Sequence, residues 1–93
     1  MDNIKEIKCT ITGKVQMVLF RDFTQRKSRG LSLVGEVENM RDMSVRVVAQ
    51  GLEKDLNKFI ELINKGPFSA RVLRVDVEWG EPTEKFTDFN IIY

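Results

Sequence analysis

Ile7-Lys8-Cys9-Thr10-Ile11-Thr12, running on into Gly13-Lys14-Val15-Gln16-Met17-Val18-Leu19-Phe20-Arg21, is the stretch that decides how this chain folds. Ile7, Cys9 and Ile11 alternate with Lys8, Thr10 and Thr12, and that period of two marks a half-buried strand over residues 5–12. The polar run 21–31 is compatible with a helix whose weak apolar face carries Phe23 and Leu31, interrupted by Lys27. A short loop between strand and helix turns main-chain N–H groups toward one spot, and the helix N-terminus adds partial positive charge there. Arg21 supplies a planar, bidentate donor suited to phosphate oxygens. Residues 13–21 therefore read as an oxyanion cradle with one fixed cation. Taken alone, the stretch also allows Arg21 to be a solvated residue of the helix start, although a cation at that end opposes the helix dipole.

Working outward, residues 33–39 and 44–50 read as two strands joined by Met40-Arg41-Asp42-Met43. Val45, Val47 and Ala49 alternate with Ser44, Arg46 and Val48, and so short a connection implies a hairpin, although it lacks the Asp-Gly that favours one. Over 53–65, Leu52, Leu56, Phe59, Ile60 and Ile63 fall at helical spacing, and Gly66-Pro67 stops the run. Residues 70–79 form a long strand with Leu73, Val75, Val77 and Trp79 on one side and Arg74, Asp76 and Glu78 on the other. Gly80-Glu81-Pro82-Thr83 is a turn, and Phe89–Tyr93 a short last strand. The order is β-α-β-β-α-β plus a C-terminal strand. It predicts an α+β, ferredoxin-like sandwich, an antiparallel sheet with two helices on one face, as one domain over residues 1–93. Cys9, Phe59 and Trp79 are expected in the core.

Composition bounds the chemistry. Ninety-three residues suffice for one modest core, and a net charge of +1 gives no global field toward nucleic acid or membrane. The only cysteine, Cys9, has no partner for an internal disulfide. The N-terminus Met1-Asp2-Asn3-Ile4-Lys5-Glu6 has no apolar signal core, and no apolar run reaches membrane-spanning length, so a soluble, cytoplasmic protein and, by size and charge, a monomer are expected. The chain contains no histidine, which removes His-dependent triads, His general-base chemistry and most zinc sites. No carboxylates stand at metal-ligand spacing, so no metal and no cofactor is expected. Cys9 precedes Arg21 by 12 positions, and a Cys-x5-Arg phosphatase spacing is absent.

Asn39 is a second candidate. The end of a central strand is a poor place for Asn by propensity. Its carboxamide offers an acceptor and donors, enough to hold a water at a set angle; the plainer reading is a turn residue at a strand end. Glu38 and Asp42, nearby in sequence, read as solvated charges beside the hairpin, and Met40 and Met43 as hairpin residues.

The segment Gly13–Arg21 resembles the signature of the acylphosphatases, Gly-(Arg/Lys)-Val-Gln-Gly-Val-x-Phe-Arg, matching everywhere but Met17, where that family has Gly. Gly35-Glu36-Val37-Glu38-Asn39 resembles its Gly-(Trp/Tyr)-Val-x-Asn, with the same spacing of 18 from Arg21 to Asn39. Counterparts follow in order: Ser44–Gly51, Lys65–Val72, Val77-Glu78-Trp79 and Phe89–Tyr93. The resemblance spans nearly the whole chain. It implies hydrolysis of the carboxyl–phosphate bond of small acyl phosphates, giving carboxylate and inorganic phosphate. The main-chain N–H groups of Gln16, Met17, Val18, Leu19 and Phe20, with Arg21, would hold the phosphate, and Asn39 would position the attacking water. A phosphoryl oxygen can accept the water's proton, so no protein base is required. The departures are Met17, Glu36 for an aromatic, Ser32 for a helix-ending Gly, Met43 for the hairpin Gly, and Lys27 for an apolar residue. Met17 bears most on function: if its φ is positive, it costs about 1 kcal/mol or more, and its side chain is then expected to crowd the phosphate.

Two rivals share the fold. One is a catalytically impaired acylphosphatase-like domain that binds an anion or partner. The other is an RNA-recognition module, which would carry base-stacking aromatics on its central strands; residues 44–50 have none.

Overall fold

The alternation that opens the chain builds β1 (Ile4–Lys14), with Ile7, Cys9 and Ile11 buried and Lys8 and Thr10 exposed. The computed structural model describes residues 3–93, so the N-terminal hexapeptide reading falls partly outside the described residues. The chain continues through α1 (Phe20–Gly30), β2 (Val34–Asn39), β3 (Val45–Leu52), α2 (Glu53–Lys65), β4 (Arg71–Gly80) and β5 (Phe89–Ile92). The sheet runs β4-β1-β3-β2-β5. Ile7, Cys9 and Ile11 share one face of the sheet with Val45, Val47, Ala49 and Val37. Phe20 of α1 and Leu56, Phe59 and Ile63 of α2 pack on that face, so both helices cover the same side. Cys9 lies in this core, and burial pushes its thiol up to about 12.

Four strands pair antiparallel, as expected; β5 instead joins β2 in parallel, making the sheet mixed. The direction follows from the preceding loop. β4 ends at Gly80 opposite Glu6, at the end of the sheet where β1 and β2 both begin. Residues 81–88 cross the uncovered face there, held by Thr83 on Glu6 and by the Glu84 carbonyl on Gln50 Nε2. The chain emerges beside the start of β2 and can only run alongside it.

Two core expectations fail on β4. Leu73, expected inward with Val75 and Val77, is 75% exposed. The β1–β4 register shifts between Thr12 and Gly13, pairing Gly13 with Val72 and Thr12 with Arg74. This bulge turns Val72 toward the core and leaves Leu73 outside. It also requires glycine at position 13: φ is +129°, and a Cβ would strike the Arg71 carbonyl oxygen. Trp79 has the expected parity, opposite Ile7, yet is 43% exposed because β4 is an edge strand. Phe59 is fully buried, as expected.

Helix ends explain the remaining boundaries. α1 starts one residue earlier than expected and buries Phe20, Phe23, Thr24 and Ser28; Lys27 lies with its ammonium 5.6 Å from the Phe23 ring centroid. It ends in a left-handed cap: Ser32 has φ +59°, its N–H donates to Arg29 O at 3.1 Å, and the Leu33 N–H donates to Ser28 O at 2.9 Å. α2 keeps its expected bounds and stops at Gly66, φ +68°. The β2–β3 hairpin closes through Met43 at φ +76°, with Asp42 Oδ1 accepting the Ser44 hydroxyl and N–H. Those two hydrogen bonds, the hydroxyl's first, hold the Asp42 carboxyl below its ordinary range.

Candidate active site

Three elements converge at one end of the molecule. Period two along β2 aims Asn39 to the same side as buried Val37, the side that α1 covers. Arg21 sits in the first turn of α1. Between β1 and α1, residues 15–19 cross from sheet to helix. Val15, Met17, Leu19, Phe20, Arg21, Asp22, Asn39, Ile91 and Tyr93 line a cavity of about 270 Å³.

The connecting loop is shaped by two left-handed residues, Met17 at φ +59° and Leu19 at φ +62°. Alternation throws Met17 and Leu19 outward, 95% and 70% exposed, while Val18 packs on the core. The Met17 thioether thus stands at the rim and does not fill the cradle. Among the described residues, the N–H groups of Gln16, Met17, Val18, Leu19 and Phe20 donate to no group of the chain; the first helical bond runs from Phe23 N–H to Leu19 O at 3.0 Å. Side chains hold the loop. Gln16 Nε2 donates to Met40 O at 2.7 Å and Ser44 O at 2.9 Å, tying the loop to the hairpin. The Ser69 hydroxyl donates to Val18 O at 2.7 Å. The loop is fixed by its carbonyls and one carboxamide, which leaves its amides uncommitted.

Arg21 is restrained from the C-terminal strand. Its Nη1 donates to Ile92 O at a long 3.5 Å, and its Cζ lies 5.0 Å from the Tyr93 ring centroid. Most of its N–H donors stay available. Asn39 Oδ1 is buried and has no hydrogen-bond partner among the described residues. Such an atom costs about 1–3 kcal/mol unless something satisfies it, so its retention points to use.

The comparisons with known proteins agree with one another. The acylphosphatase family model matches residues 7–91. The chain belongs to the acylphosphatase family. It is 42% identical to the acylphosphatase of Salinibacter ruber, over 94% of this chain and 92% of that one. Its fold superposes on the crystal structure of the Bacillus subtilis acylphosphatase with a TM-score of 0.92 and 30% identity, covering 96% of this chain and 99% of that chain. On the acylphosphatase from Coxiella burnetii the TM-score is 0.90 with 33% identity, covering 97% and 94%. The protein is an acylphosphatase, an enzyme that hydrolyses acyl phosphates, in a ferredoxin-like fold.

Within this acylphosphatase, Arg21, Asn39, Met17, Leu19 and Phe20 border one cavity, whereas the Gln16 and Val18 side chains turn away from it. Sequence reasoning missed Tyr93 and Ile91. Their signal was the alternation Phe89, Ile91, Tyr93, which carries one face of β5 toward the cradle. Among the described residues no cluster of three or more His, Cys, Asp or Glu could hold a metal ion, and no helix is long and apolar enough to cross a membrane.

Proposed function

We propose that this acylphosphatase binds the phosphoryl group of a small acyl phosphate on the main-chain N–H groups of residues 16–20 and the Arg21 guanidinium, and that Asn39 holds the attacking water. The carrying observation is the run of uncommitted amides in the wall of a cavity that Arg21 and Asn39 share. Phosphoryl transfer spreads charge over the equatorial oxygens, so catalysis is mainly positioning and electrostatic stabilisation. Each charge-assisted hydrogen bond contributes about 1.5–3 kcal/mol. The buried Asn39 Oδ1 accepts one O–H of the water and turns a lone pair toward phosphorus. The water oxygen bonds to phosphorus as the acyl C–O–P bridge breaks at P–O. The carboxylate leaves with the bonding pair, and the water's proton passes to a phosphoryl oxygen. A reading as a catalytically impaired domain rests on Met17 blocking the cradle, and Met17 is 95% exposed instead. We further read the enzyme as a single-domain cytoplasmic monomer acting on a small molecule, with neither nucleic acid nor membrane as partner, from its net charge of +1 and size.

Hydrolysis of benzoyl phosphate in chelator-treated buffer tests the assignment. Arg21→Ala should lower kcat/KM by about 100-fold or more and abolish inhibition by inorganic phosphate. Asn39→Ala should reduce kcat by about 100-fold with KM little changed. Equal losses in kcat and in affinity for the Asn39 variant would remove its water-positioning role.

A further inference from the structure

The phosphate cradle leaves an unassigned feature at its mouth. Met17 and Leu19 both line the cavity, both have left-handed backbones, and both project into solvent as large apolar side chains. Tyr93 lines the same cavity, is 93% exposed, and holds its ring 5.0 Å from the Arg21 Cζ. Single exposed apolar residues are ordinary, but three around one opening form a patch at a binding site. The cavity, about 270 Å³, lies just under the range of about 300–1,000 Å³ typical of ligand pockets. A ligand whose phosphoryl group occupies the amides must send its other end out past this lip.

We propose that the lip formed by Met17 and Leu19 selects the acyl group, and that the preferred substrates are acyl phosphates with an extended apolar acyl chain rather than acetyl or polar acyl phosphates. The proposal rests on the phosphoryl assignment above, because the cradle fixes which end of the substrate faces the lip. The loop geometry supports it. Val18 is anchored by its carbonyl to Ser69 and by its side chain to the core, so residues 17 and 19 are held outward on either side of it. An acyl chain lying between them and Tyr93 removes apolar surface from water on both partners. The charged neighbour at the rim, Asp22, sits in the first turn of α1 and disfavours an acyl group that carries its own carboxylate.

The test is a homologous series of acetyl, butanoyl and hexanoyl phosphates, whose leaving-group acidities are nearly constant. In the wild-type enzyme kcat/KM should rise about 10-fold or more from acetyl to hexanoyl, less per methylene than in an enclosed pocket. The double variant Met17→Gln, Leu19→Asn keeps the main-chain amides and removes the apolar lip, and Asn is among the side chains best tolerated at positive φ. Its rise along the series should shrink to about 2-fold or less, the ratio being the readout rather than the absolute rate. A flat series in the wild type overturns the proposal, and so does an undiminished rise in the double variant. Hydrolysis that is chain-length-independent but lost in Arg21→Ala leaves the cradle assignment standing while this one falls. No turnover of any member overturns both.

Discussion

Among the described residues, four with side chains occupy left-handed backbone: Met17, Leu19, Ser32 and Met43, at φ +59°, +62°, +59° and +76°. Three of them stand where the acylphosphatase pattern has glycine. A Cβ in this region costs about 1–2 kcal/mol against the following carbonyl, partly offset because glycine is the more flexible residue in the unfolded chain. Ser32→Gly and Met43→Gly should each raise unfolding free energy by about 1 kcal/mol, or roughly 4–8 °C in Tm for a domain this small. Because the two sit in different loops, a helix cap and a hairpin, their effects should add. Thermal unfolding of both singles and the double checks this; a loss of stability in either would mean its side chain makes a contact worth more than the strain.

The first helix is the element with the weakest sequence signal, and its packing shows why. Its inward side carries Thr24 and Ser28 as well as Phe20 and Phe23. Thr24 is satisfied, its hydroxyl donating to Phe20 O at 2.9 Å. Ser28 Oγ is buried with no partner among the described residues. Ser28→Ala removes a desolvated hydroxyl, adds helix propensity and leaves the cap bonds to the Ser28 carbonyl intact. It should stabilise the protein by about 1 kcal/mol in urea titration, with an unchanged m-value. A destabilised variant would reveal a hydrogen bond that this hydroxyl makes. The edge strand β4 carries the complementary lesson: a one-residue bulge beside Gly13 redirects Leu73 to solvent, so its alternation holds only from Val75 onward.

Across the whole molecule, a buried carboxylate fixes the path of the chain from one sheet edge to the other. Glu6 is 2% exposed, on the sheet face that carries no helix. Burial pushes its carboxyl up, but hydrogen bonds from Gln50 Nε2 and from the Thr83 N–H and hydroxyl, with the Lys8 charge, outweigh that and hold it below the usual value. Lys5 to Glu81 at 2.6 Å and Arg29 to Asp88 at 3.1 Å hold the two ends of the same segment. A carboxyl lowered in the folded state adds stability above its unfolded pKa, and that contribution disappears as pH falls through the folded pKa. Glu6→Gln should therefore cost about 1–3 kcal/mol at pH 7, and the gap to wild type should narrow below about pH 4.5. Urea unfolding at pH 7 and at pH 3 measures it; a gap that stays constant would mean Glu6 acts by shape rather than by charge.

Periodicity and breakers wrote most of this protein into its sequence. Alternation in β1 and β3, helical spacing from Leu52 to Ile63, and the stop at Gly66 specify the elements, because each depends on residues close in the chain. The candidate site residues Arg21 and Asn39 came from resemblance to the acylphosphatase motifs, whose positions here fall on a helix start and a strand end, both local features. Tertiary structure decided the rest. The burial of Glu6, the exposure of Trp79, the parallel course of β5 and the approach of Tyr93 to Arg21 all depend on which strand lies beside which. Neighbours across a sheet are set by packing of the whole chain, and no local pattern encodes them.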